Sequence, residues 1–138
     1  MTFYRILPTI SATELFLGVK LMEDVKPRIG IYYAQNATVV TLTDEKLLEN
    51  DDIKALEDSI MPLIDGPVNL VVDFSSVQFL SSAVLGLLIR ISKKVNERKG
   101  KLKLCGISPR IYEIFKITRL DEIFDIYDDA KKAMLSLK

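Results

Sequence analysis

Apolar residues change their spacing several times along this 138-residue chain, and each change marks a different element. Two runs rich in β-branched and aromatic residues lie within residues 28–42 (RIGIYYAQNATVVTL), separated by Gln35-Asn36. Asn tolerates the left-handed backbone of a tight turn, so the pattern predicts an opening β-hairpin. Tyr32 and Tyr33 would be alternately buried and exposed on it. Ile53, Leu56, Ile60, Leu63 and Ile64 then recur at three and four residues, the spacing of one helical face. Asn50 or Asp51 is available as N-cap, and Asp65-Gly66-Pro67 marks the end.

The run VNLVVDF, residues 68–74, is a short, mostly apolar run between Gly-Pro and Ser-Ser, too short for a standard helix. It predicts a central strand covered on both faces. A short strand-like piece, Val77–Leu80, leads into a second helix that begins at Ser82 and stops at Gly100. Val84, Leu88, Ile91 and Val95 form its apolar face, with Arg90, Lys93, Lys94 and Glu97 opposite. Residues 101–107 (KLKLCGI) read as another strand, and Ser108-Pro109 as the N-cap and first position of a third helix that buries Ile111, Ile114 and Phe115. Residues 123–127 (IFDIY) make a last strand, and Asp128 can cap a C-terminal helix running through Met134. Strand and helix alternate after the hairpin. The expected fold class is therefore α/β: one domain with a mixed, mostly parallel sheet and about four helices, joined by right-handed crossovers.

Composition narrows the chemistry. With 19 basic and 19 acidic residues, the chain has no charge excess to hold a nucleic-acid backbone or an anionic bilayer. The basic run Arg98-Lys99-Gly100-Lys101 reads as a solvated helix end and turn. Histidine is absent, which removes the commonest general base and the commonest transition-metal ligand. The lone Cys105 has no disulfide partner within the chain and sits in an apolar run, as a buried core thiol in a reducing compartment would. No acid–base pair, metal cluster or Walker-type loop is evident, so the chain is read as a non-enzyme without cofactor or metal. Residues 1–27 read as an N-terminal arm preceding a domain at 28–138, with Met22 an alternative start. Pro8, Glu14 and scattered Thr and Ser interrupt that arm well short of a membrane span, which gives a cytoplasmic expectation.

The informative stretch is VVDFSSVQFLSSAVLGLLIRI, residues 71–91. Asp73 ends a buried strand and is placed to stabilise the following loop by accepting backbone hydrogen bonds, with Ser75 and Ser76 as turn residues. Ser81-Ser82 stands at the mouth of the second helix, where unpartnered N–H groups and the helix dipole favour a capping hydroxyl or a phosphate. Leu85, Gly86 and Ile89 lie three, four and seven residues beyond Ser82 and would share its side of the helix. Glycine costs about 1 kcal/mol inside a helix, so Gly86 suggests the close approach of another element or of a partner. Ser75, Ser76, Ser81, Ser82, Leu85, Gly86 and Ile89 together make a candidate partner-binding surface.

This stretch resembles the signature of the STAS domain, the fold of bacterial anti-sigma-factor antagonists, roughly Asp-x-Ser, a few residues, then Phe-x-Asp-Ser-Ser-Gly-Leu-Gly. Asp73 and Ser75 match the first part, Phe79 the Phe, Ser82 the phosphorylatable Ser, and Leu85-Gly86 the Leu-Gly. Residues 101–134 are similar to the closing strand, helix, Thr-Gly-Leu-like turn, strand and terminal helix of that family. The chain departs from the pattern where Ser81 replaces the acid, Ala83 the second Ser and Val84 the Gly, and where the turn reads Thr118-Arg119-Leu120. The resemblance implies partner switching: the unmodified domain binds an anti-sigma factor that is also a Ser kinase, and phosphate on Ser82, with Ser81 the alternate acceptor, breaks the complex. The catalytic machinery would then belong to the partner. The alternative is a constitutive scaffold or accessory subunit of a stress-signalling or transport complex, with Ser82 a plain helix N-cap.

Overall fold

The computed structural model describes residues 29–137. Residues 1–28, which include the expected arm at 1–27, and the last residue lie outside the described residues. Strands β1 (Ile29–Tyr33) and β2 (Thr38–Leu42) form the opening hairpin, followed by a two-residue strand β3 (Lys46–Leu47) and helix α1 (Asn50–Ile60), which continues into a short 3-10 turn at Met61–Leu63. Then come β4 (Asn69–Asp73), β5 (Phe79–Leu80), α2 (Ser82–Glu97), β6 (Lys101–Cys105), α3 (Pro109–Ile117), a 3-10 turn at Leu120–Glu122, β7 (Asp125–Tyr127) and α4 (Ala130–Leu135).

The main sheet runs β1-β2-β4-β6-β7. Only the β1–β2 pair is antiparallel; β2–β4, β4–β6 and β6–β7 are parallel, as helical crossovers require. Strand β4 is central, and Leu70, Val71 and Val72 are all fully buried. Alternation sends Leu70 and Val72 into the larger core, which also takes Val40, Leu42, Leu102 and Leu104 from neighbouring strands and Leu56, Leu88, Ile91, Ile111 and Phe115 from the helices. Val71 faces the other way, into a small cluster with Ala37, Val39, Cys105 and Ala133 of α4. Three helices thus cover one face and the short α4 covers the other, giving the mixed, mostly parallel α/β architecture with four helices among the described residues.

Several local readings need correction. The N-cap position of α1 is Glu49, which makes no side-chain cap bond, and not Asn50 or Asp51. Asp51 and Asp52 lie in the first turn, where negative charge meets the positive end of the helix dipole. At α4 the cap is Asp129, whose carboxylate accepts from Lys132 N at 2.8 Å, while Asp128 pairs with the Lys132 ammonium at 2.9 Å. Tyr32 and Tyr33 are both exposed, because β1 is an edge strand of the described sheet, and only the Tyr32 hydroxyl reaches the layer beyond it, at 3.9 Å from Met134 Sδ. Strand β3 went unread within a polar stretch.

Two turns show opposite uses of glycine. Gly100 passes so close to the Val68 carbonyl that a Cβ there would overlap it. Arg119, by contrast, adopts a left-handed conformation (φ 62°) that favours glycine and costs a side-chain-bearing residue ~1–2 kcal/mol. Urea denaturation should therefore report opposite signs: Arg119→Gly stabilises the fold by about 1 kcal/mol, less glycine's entropic cost. Gly100→Ala destabilises it by about 3 kcal/mol through backbone displacement.

Candidate functional site

The C-terminal end of β4 delivers the chain to the site. Phe74 N donates to Cys105 O at 2.9 Å, holding the strand exit against β6, and the Phe74 ring is fully buried. Asp73 Oδ1 then accepts from Ser75 N at 2.9 Å and from the Ser75 hydroxyl, closing a tight turn. Gly106 packs against this turn at φ 70°, where a Cβ would lie 2.6 Å from Asp73 Oδ1 and 2.5 Å from Ser75 Oγ. Both its conformation and its surroundings demand glycine. Sequence reasoning missed this residue, although a Gly directly after the buried strand KLKLC was a usable signal. Cys105 beside it is fully buried. Burial, reinforced by the Asp73 and Asp129 carboxylates, pushes its thiol up to about 12.

The chain next runs parallel to β3. Gln78 N and Phe79 N both donate to Glu45 O at 2.8 and 3.1 Å, and Ser81 N donates to Leu47 O at 3.0 Å. This two-stranded sheet, with Lys46 beside Phe79 and Leu47 beside Leu80, fixes where α2 begins. Ser81 occupies the N-cap position in extended conformation, with no side-chain cap bond, and its Oγ is buried without a partner. Ser82 is the first helical residue and is exposed. A hydroxyl there faces solvent at the positive end of a 16-residue helix, where added negative charge is electrostatically favoured.

The residues singled out from sequence divide. Ser75, Ser76, Ser82 and Ile89 are exposed, Ile89 at 47%, while Ser81 and Gly86 are half-buried. A Cβ on Gly86 would meet only the end of the Arg90 side chain at 3.9 Å, so internal packing does not require this glycine. It leaves a low point on the outer face. Leu85 is the correction: at 6% exposed it belongs to the core beside Val84 and Leu88. The outer stripe instead runs Ser82, Ala83, Gly86, Ile89 and Arg90, with Arg90 tied to Glu57 of α1 at 3.1 Å.

The STAS domain model matches residues 28–133. The chain belongs to the STAS domain family. Among its relatives, the anti-sigma-B factor antagonist of Listeria monocytogenes is 33% identical over 110 residues, covering 80% of this chain and 88% of that protein. The anti-sigma F factor antagonist of Paenibacillus polymyxa is 26% identical over 70 residues, 51% of this chain and 60% of its own length. The fold is shared with an anti-sigma-factor antagonist STAS domain protein from Planctomyces limnophilus (TM-score 0.73, 24% identity, 79% of this chain and 97% of that one). It is shared too with the Bacillus cell fate determinant SpoIIAA solved in its phosphorylated form (TM-score 0.62, 17% identity, 80% of this chain and 99% of that one). Within this STAS chain, Arg119 takes the backbone conformation that the Gly of the Thr-Gly-Leu turn would adopt without strain.

The caps give a clear contrast. Ser108 accepts from Ile111 N at 3.3 Å and Asp129 from Lys132 N at 2.8 Å, whereas Ser81 caps nothing. Thermal melts should show Ser108→Ala and Asp129→Ala each costing about 1 kcal/mol, while Ser81→Ala stays within about 0.5 kcal/mol of the parent because no bond is lost. In a thiol-reagent assay, native Cys105 should stay unlabelled at mildly alkaline pH and react only after unfolding, since a thiol titrating so high and so deeply buried supplies almost no thiolate.

Proposed function

We propose that this STAS chain acts as an anti-sigma-factor antagonist: it binds an anti-sigma factor with Ser kinase activity through the face around Ser82 and is released when Ser82 is phosphorylated. The observation that carries the reading is the exposed Ser82 hydroxyl at the first position of α2, on a stripe that continues through Gly86 and Ile89. The name of the Listeria relative supports the same assignment at 33% identity. Ser75 and Ser76 flank the contact from the preceding loop, and Ser81, half-buried with its oxygen inside, is the poorer acceptor. Phosphate at Ser82 adds ~1.5–2 negative charges to a surface that must be desolvated on binding, so the modification opposes the complex by repulsion and by its own hydration. No cofactor is required of this chain, because the phosphoryl donor belongs to the partner. A cytoplasmic location follows from the partner, not from any feature of the fold.

The decisive experiment mixes the purified chain with the anti-sigma factors of its own genome, with the Listeria anti-sigma-B factor as reference, and follows binding by calorimetry and modification by mass spectrometry. ATP should place one phosphate on Ser82, Ser82→Ala should bind and stay unmodified, and Ser82→Asp should weaken the complex about tenfold or more. Absence of any complex would remove the function. Tight binding that is indifferent to Ser82→Asp would assign the chain as a constitutive scaffold instead.

A further inference from the structure

Phe79 is a large apolar side chain that the fold leaves partly uncovered. It is 38% exposed, whereas the neighbouring Phe74 and the Phe115 of α3 are fully buried. Two cations converge on its ring. The Lys46 ammonium lies 5.8 Å from the ring centroid, delivered by the β3–β5 register that sets Lys46 beside Phe79. The Arg110 guanidinium lies 5.1 Å from it, delivered by the first turn of α3. Five basic side chains, Lys54, Arg90, Lys103, Lys116 and Lys132, each lie within 3.5 Å of a carboxylate, and others, such as Lys93 and Arg98, stand singly at the exposed surface; Lys46 and Arg110 differ from both groups in meeting on one aromatic ring. Neither has a carboxylate partner among the described residues. Bringing two unneutralised cations to one ring costs mutual repulsion, and cation–π attraction at an exposed site offsets only part of it.

We infer that Lys46, Phe79 and Arg110 form a seat, three residues before Ser82, that receives an acidic segment of the partner protein. Carboxylates supply the missing counter-charge, and the exposed part of the ring supplies apolar contact for the side chain between them. The inference rests on the partner-binding reading above and deepens it by stating the partner's chemistry. Two further observations fit an acidic partner. Ser81 stands where the family pattern has an acid, so no carboxylate at that position opposes the approach. A phosphate on Ser82 would repel an acidic segment and would attract a basic one, and release on modification requires the former. Selection of the partner is then electrostatic and acts chiefly through association rate and salt dependence.

The test has two arms. In the first, the isotope-labelled full chain is titrated with a short Glu-rich peptide containing one Leu, with a matched Lys-rich peptide, and with a single-stranded oligo-dT. The Glu-rich peptide should saturably shift the backbone amides of Lys46, Phe79 and Arg110, and the shifts should fade at high salt. In the second, the paired charge reversal Lys46→Glu/Arg110→Glu should weaken binding to the anti-sigma factor about tenfold and flatten its salt dependence, with Lys46→Gln/Arg110→Gln intermediate. Unchanged melting of both variants checks that the fold survives. The seat is overturned if the Lys-rich peptide or the oligonucleotide shifts these amides as strongly, or if charge reversal leaves anti-sigma binding intact. Should no anti-sigma factor bind the parent chain, the functional reading fails, and the peptide arm still decides the seat on its own.

Discussion

Strand β4 has to satisfy two layers at once, and the geometry of the site follows from that demand. Leu70 and Val72 fill one core while Val71 fills the other, so neither face of the strand can shift register without exposing apolar area on both. The strand therefore ends at a fixed point. Asp73 turns the chain there by accepting from Ser75, and the close passage of Gly106 leaves that turn no room to relax toward β6. Downstream, Glu45 and Leu47 hold residues 78–81 through backbone hydrogen bonds, so the first turn of α2 is set from two directions before the helix begins.

At that first turn the chain separates two tasks that one residue could have combined. An acid at the cap position would neutralise the helix start and carry charge to the surface. Ser81 does neither: its oxygen points into the fold, and the N-terminal end of α2 keeps its partial positive charge. The positive character of this region is then increased by Lys46 and Arg110 around Phe79. In a chain of zero formal net charge, such local excess must be balanced elsewhere, and the carboxylates Asp51, Asp52, Asp121 and Glu122 sit in the first turns of other helical segments. Charge is thus segregated by position, not by total.

How much of this was legible in the sequence depends on the length scale of each feature. Long elements announce themselves: α2 shows the same apolar spacing over four turns, and β4 is too short and too apolar to be anything but a central strand. Of the β3–β5 pair only the Val77–Leu80 piece that contains β5 was legible, as a short apolar run; β3 (Lys46–Leu47) was not, because a two-residue strand within a polar stretch carries no periodicity and exists only through its partner. Cap positions slipped by one residue at α1 and α4, where adjacent polar residues offer equivalent chemistry and tertiary packing decides between them. Leu85 illustrates a subtler limit. A residue three positions from Ser82 lies about 60° to one side of it on the helix, close enough to share its face or to turn inward, and the core beside Val84 and Leu88 took it. The convergence of Lys46 and Arg110 on Phe79 joins three distant segments, and only the fold brings them together.

The rigidity of the site bears on how a modification there can act. Val84, two residues past Ser82, is fully buried, and the chain before Ser82 is pinned to β3. Ser82 itself is exposed between these anchors, so a group added to its hydroxyl displaces nothing in the core. A two-state rearrangement would need an element with two comparable packings, whereas α2 is packed by its buried face and the segment leading into it is hydrogen-bonded to β3. Charge added at Ser82 must then act where it is placed, by changing the local potential that an approaching surface meets within roughly a Debye length, ~8–10 Å at moderate salt. A rigid scaffold with a locally edited surface charge is sufficient to switch between bound and free partner, provided the partner's contact is sensitive to that charge.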